Sequence, residues 1–234
     1  MCGRFTLTRS AAEIAEHFGL GSVPELAPRF NLAPTQDAPI VRVRSSGERV
    51  LELRRWGLVP PWAKDVAVGA RMINARVESV AERPAFREAL RRRRCLVPAD
   101  GFYEWQGRQG HRRRPHHLAL PGGGLFAITG LYERWIGPGG EALDSFTLLT
   151  RPAQGAVAAV HDRMPLILDP EGYPAWLDPA LRDPAALLAA LPEALGASLL
   201  ARPVDTRVND VRNDDPACLA PPGEAPLPLF RGLS

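Results

Sequence analysis

The run Ile40-Val41-Arg42-Val43-Arg44-Ser45-Ser46-Gly47-Glu48-Arg49-Val50-Leu51-Glu52-Leu53-Arg54-Arg55 decides the fold class. Segments 40–44 and 50–55 are rich in β-branched and aliphatic residues and flank a polar turn containing glycine, which predicts a β-hairpin. Working outward, strands are predicted at 4–8, 72–78, 117–120, 125–131 and 146–150. A further strand at 95–105 is expected to break at Pro98 and Gly101. Ser10-Ala11-Ala12-Glu13 is a capping box that opens a helix carrying Ile14 and Phe18 and stopped by Gly19 and Gly21. Other helices are predicted at 81–94, 153–159 and 184–195, and 107–114 as an exposed turn. Too many strands follow one another directly for repeated βαβ units, so the class is α+β.

The 234 residues suit one domain over 1–220 with a Pro-rich, extended tail at 221–234. Hydrophobic residues make up 45% and charged residues 24%, which suits a packed core rather than disorder. Net charge is only +3, yet the 29 basic residues include a single lysine, Lys64. Arginine grips phosphate bidentately and stacks on bases, although a GC-rich coding sequence yields the same bias. The runs Arg91–Arg94 and Arg112–Arg114 read as solvated charge, the second near DNA if its loop lies there. Cys2, Cys95 and Cys218 are odd in number and widely spaced, which points to a reducing compartment and to neither a disulfide framework nor a zinc site. No apolar run reaches the roughly 18 residues of a membrane span, so a cytoplasmic protein without membrane, metal or cofactor is expected.

The chemistry concentrates at Met1-Cys2-Gly3-Arg4. Removal of Met1 would leave Cys2 with an α-amine and a thiol on adjacent carbons. The amine titrates near about 8, against about 10 for lysine, so at neutral pH a useful fraction is nucleophilic toward an aldehyde. Addition of the thiol to the resulting imine closes a five-membered thiazolidine, favoured by the proximity of groups on one residue. Read without context, Cys2 equally suits a small buried residue at the start of a strand, or the nucleophile of an N-terminal thiol amidohydrolase or peptidase. In Trp56-Gly57-Leu58-Val59-Pro60-Pro61-Trp62 the Gly and Pro residues predict a loop that displays aromatic surface, with Trp56 better suited to the core than Trp62.

Several blocks occur in order: Met1-Cys2-Gly3-Arg4-Phe5, Asn31-Leu32-Ala33-Pro34, Trp56-Gly57-Leu58-Val59-Pro60, Ile73-Asn74-Ala75-Arg76-Val77-Glu78, Pro98 to Trp105, and His161-Asp162-Arg163-Met164-Pro165. Val208-Asn209-Asp210-Val211-Arg212-Asn213 closes the series. Together they resemble the SOS response-associated peptidase (SRAP) family, which includes abasic-site shielding proteins. The resemblance implies a mixed, barrel-like β core with flanking helices and a positively charged groove leading to Cys2. It implies covalent capture of abasic sites in single-stranded DNA; shielding one lesion needs no partner subunit, so a monomer is expected. Cys2, Asn74, Glu104 and His161 would form the catalytic set, Asn74 holding the amine or the opened sugar and Glu104 and His161 moving protons. Arg4, Arg76 and Arg163 would contact phosphates, and Trp62, Trp105 and Pro34 would stack on bases or wedge the strand. A non-covalent single-strand binding module is the remaining alternative. Arg83-Pro84 departs from the family pattern, so an arginine near this point is displaced by one position.

Overall fold

A computed structural model describes residues 2–107, 113–190 and 198–223. In chain order the elements are β1 (Phe5–Leu7), α1 (Ala11–Phe18), β2 (Arg29–Leu32), β3 (Asp37–Val43), β4 (Arg49–Trp56), β5 (Asn74–Arg76), α2 (Arg87–Arg92), β6 (Arg94–Ala99) and β7 (Gly101–Gln106). They continue with β8 (Arg114–Ala119), β9 (Phe126–Ile136), β10 (Ala142–Pro152), α3 (Gly155–Ala158), β11 (Arg163–Pro165), β12 (Ile167–Leu168), α4 (Tyr173–Leu177), α5 (Pro184–Ala189) and β13 (Leu200–Pro203).

The hairpin forms as β3 and β4, antiparallel with Val43 opposite Arg49, and Gly47 takes the left-handed conformation (φ 86°) the turn needs. β10 pairs with β4 on one side and β9 on the other, while β9, β6 and β3 pair in turn, so five strands close into a barrel. The β4–β10 and β5–β10 pairings are parallel and the rest antiparallel, which makes the sheet mixed. A second sheet of order β13-β8-β7-β1-β2 is antiparallel throughout. The fold is thus α+β, a mixed barrel-like β core with flanking helices. Its main apolar core includes Phe5, Trp56, Phe102, Phe126 and Phe146.

A single residue, Asp100, joins barrel strand β6 to β7 of the second sheet. Its carboxylate accepts from Thr6 Oγ1 (2.5 Å), Thr8 N (2.7 Å) and Thr8 Oγ1 (2.5 Å), tying the corner to β1. The predicted break at Pro98 does not occur, since Pro98 lies inside β6 opposite Ala127. The capping box of α1 is complete, with Ser10 Oγ accepting from Glu13 N and Glu13 reaching back to Ser10 N (2.9 Å). The basic helix is shorter than predicted, 87–92 rather than 81–94, because Pro84 disfavours helical backbone at Arg83. Arg94 is not solvated: it is buried and donates to the carbonyls of Leu90 (2.8 Å), Arg91 (3.0 Å), Trp176 (2.7 Å) and Asp178. Most of the 107–114 turn, the second half of the 184–195 helix and the tail beyond Gly223 lie outside the described residues.

The 56–62 stretch splits between core and surface. Trp56 is fully buried and donates from Nε1 to Ile73 O (2.9 Å), whereas Trp62 is 61% exposed. Among the described residues no helix is long and apolar enough to cross a membrane.

Candidate functional site

Cys2 lies just ahead of β1 and is wholly buried. Asn74, the first residue of β5, donates from Nδ2 to Cys2 O at 2.7 Å. Its Oδ1 is buried and has no partner. Glu104 arrives from β7, whose alternation turns Phe102 and Glu104 one way and Tyr103 and Trp105 the other; the first pair faces the main core and the second a smaller cluster with Val204, Val208 and Cys218. The carboxyl is therefore 97% buried rather than turned to solvent, and burial pushes its pKa up against the opposing pull of His161. Burial also pushes the Cys2 thiol well above its ordinary range, and the Glu104 carboxylate reinforces the shift. Cys2 and Glu104 are thus electrostatic neighbours.

His161 follows α3 and brings Nε2 within 3.8 Å of Glu104 Oε2. Its Nδ1 lies 2.9 Å from the Arg163 backbone N–H and 2.8 Å from Asp162 Oδ1. One nitrogen cannot accept from the amide and donate to the carboxylate at once. The backbone donor is fixed and the Asp162 side chain is 86% exposed, so the amide decides: Nδ1 accepts, and the proton of the neutral ring sits on Nε2, toward Glu104.

Two clefts flank this cluster. One, of 560 Å³, is lined by Gly3, Arg4, Trp105, Arg113 and Asn209. The other, of 410 Å³, holds Asn74 and Trp62 together with Arg71, Arg76 and Arg83. Arg4 is anchored by Nη1 to Asn31 Oδ1 (2.9 Å) and Val208 O (2.8 Å), with its guanidinium carbon 5.8 Å from the Trp105 ring centre. Arg163 is engaged elsewhere, paired through both terminal nitrogens with Glu78 (2.5 and 3.0 Å) and bonded to Thr150 O (2.7 Å). Pro34 lies half-buried in the turn between β2 and β3, next to Thr35 with its positive φ of 71°. The structure thus gathers Cys2, Asn74, Glu104 and His161, sets Arg4 and Trp105 in one cleft and Arg76 and Trp62 in the other, and commits Arg163 to Glu78.

Arg71, Asn209 and the buried Asn31 were assigned no role from the sequence, although Asn31 and Asn209 fall inside the quoted blocks. Among the described residues no three His, Cys, Asp or Glu side chains are grouped as a bound metal would require.

Residues 1–211 match the SOS response associated peptidase (SRAP) family. The chain belongs to this family. Among SRAP relatives it is 40% identical over 219 residues to the abasic site processing protein YoqW of Bacillus subtilis (strain 168), covering 92% of this chain and 97% of that protein. It is 32% identical over 264 residues to the abasic site processing protein HMCES of Gallus gallus, covering 94% and 78% respectively. A crystal structure of a Bacteroides thetaiotaomicron protein superposes with a TM-score of 0.82 over 94% of this chain and 99% of that one, at 24% identity, a likeness of fold. The SRAP barrel is therefore the frame on which the cluster around Cys2 is mounted.

Proposed function

We propose that this SRAP protein processes abasic sites in DNA, and that it does so by covalent capture of the ring-opened aldehyde in single-stranded DNA through Cys2 once Met1 has been removed. The observation that carries the reading is the setting of Cys2: its carbonyl held by Asn74, its thiol within electrostatic reach of Glu104, and Glu104 in turn facing His161. The abasic-site processing relatives supply the substrate class.

The amine of Cys2 adds to the aldehyde carbon and water leaves, giving an imine. The thiol then adds across the C=N bond, sulfur to carbon and its proton to nitrogen, to close the thiazolidine. A thiol held protonated by burial suits this order, with the amine attacking first. Asn74 Oδ1, now without a partner, is placed to accept from the amine or a sugar hydroxyl. Glu104, with its raised pKa, can give and take the protons that ring opening and loss of water demand, and His161 can exchange them with solvent.

An abasic site offers no base to read, so the clefts serve backbone and neighbouring bases. Arg4 and Arg76 are the phosphate contacts, while Arg163 reaches a phosphate only by giving up Glu78, which is half exposed. Trp62 and Trp105 stack on flanking bases and Pro34 helps hold the strand apart. The protein acts as a monomer.

Intact mass after incubation with a single-stranded oligonucleotide carrying one abasic site tests this. The expected result is loss of Met1 and a heat-stable adduct that is absent with an intact-base oligonucleotide and absent in Cys2→Ala. Processed protein that forms no adduct would refute capture.

A further inference from the structure

We propose that Asn209 is a positioning residue for DNA capture, its side-chain amide holding the Trp105 indole in the orientation that receives a base. The proposal rests on the DNA-binding reading above. Besides its packing against the Val204, Val208 and Cys218 cluster, the ring meets three groups among the described residues. Tyr103 lies at 6.5 Å between centroids with a 45° tilt, the Arg4 guanidinium carbon at 5.8 Å, and Asn209 Oδ1 accepts from Nε1 at 2.7 Å. The first two are broad contacts with a ring face or edge. Of these the hydrogen bond is the directional one, and it fixes which edge of the indole turns to the protein.

Asn209 is itself exposed, but the backbone that carries it is held firmly. It ends a short 3-10 turn, Thr206–Asn209. The Nδ2 group of the buried Asn31 lies within hydrogen-bond distance of the carbonyls on both sides, Val208 (3.2 Å) and Asp210 (3.1 Å), and of Asn213 (2.7 Å). Asp214 accepts from the backbone N–H groups of Phe30 (2.5 Å) and Asn31 (2.8 Å). The amide that grips Trp105 is thus mounted on a segment clamped to β2. A ring held this way has surrendered its rotational freedom before DNA arrives, so stacking costs less on binding.

The test uses fluorescence anisotropy with a single-stranded oligonucleotide bearing a tetrahydrofuran abasic analogue, which has no aldehyde and reports binding alone. Asn209→Ala is expected to weaken binding about three- to tenfold, the scale of ordering one side chain on binding, while lowering the urea unfolding midpoint by no more than one exposed hydrogen bond would. Trp105→Phe keeps a stacking ring and deletes the N–H. It should show a comparable loss, and adding Asn209→Ala to it should change nothing further. Unaltered affinity in Asn209→Ala, or losses that simply add in the double variant, would overturn the proposal. If the parent protein binds the oligonucleotide but forms no adduct with a true abasic site, covalent capture fails while the cycle still decides this inference. If the parent binds no DNA, both fall.

Discussion

His117 packs over Gly101 so closely that a Cβ there would lie 2.1 Å from its Nε2, and the same nitrogen is 3.1 Å from Thr6 Oγ1. Thr6 gives its proton to Asp100, so Nε2 carries the ring proton and donates to Thr6. Burial lowers the His117 pKa from an ordinary 6.5 to about 4. Between those values the unfolded chain binds a proton that the folded chain does not, so stability is lost as pH falls through this window. The loss amounts to roughly 3 kcal/mol at about 1.4 kcal/mol per pH unit. His17, also lowered by burial, acts in the same direction. Urea unfolding from about pH 7 down to about pH 4 should show this slope, and His117→Gln should flatten it. Identical slopes in the two proteins would place the acid sensitivity elsewhere.

The element that positions Asn74 is the return from β4 through the 3-10 turn Val66–Arg71 to β5. Gly57 and Gly69 meet there backbone to backbone. A Cβ on Gly69 would lie 2.5 Å from Gly57 O, and one on Gly57 would lie 2.6 Å from Gly69 O at a φ of 122°. Gly69→Ala should therefore destabilise the protein by about 1–3 kcal/mol through overpacking and slow adduct formation by shifting Asn74. An unchanged unfolding midpoint would show that the loop yields instead. Elements of this kind explain what was legible in the sequence. The Ser10 capping box and the 40–55 hairpin are written in a few adjacent residues, and both form as read. The helix over 81–94 was overdrawn because periodicity outweighed Pro84, and Arg94 was misread because its four acceptors are carbonyls, which carry no sequence signature. The same holds within the candidate site: the ordered blocks named Cys2, Asn74, Glu104 and His161, which the structure brings together, but the hold of Asn31 on carbonyls 177 to 182 residues away does not appear in any local pattern.

For the whole molecule, a net charge of +3 understates what the two clefts present. Arg4, Arg113, Arg71, Arg76 and Arg83 line them, and each phosphate neutralised on a single strand contributes about 0.7 to the slope of log affinity against log salt. Five contacts predict a slope of roughly −3.5, with Arg76→Ala reducing its magnitude by about 0.7. Anisotropy titrations across a salt series measure both. A slope near zero would remove the clefts from the DNA path.

The clamp of Arg4 and Asn31 by Val208, Asn213 and Asp214 also bears on the order of events during synthesis. At roughly 5–20 residues per second, Cys2 emerges from the ribosome about 10–40 s before those partners emerge. For that interval the N-terminus exists without its finished cleft. If capture runs through a Cys2 freed of Met1, a peptidase removing Met1 would have open access in that interval, and small free aldehydes would compete for the amine and thiol before any DNA could be held against them.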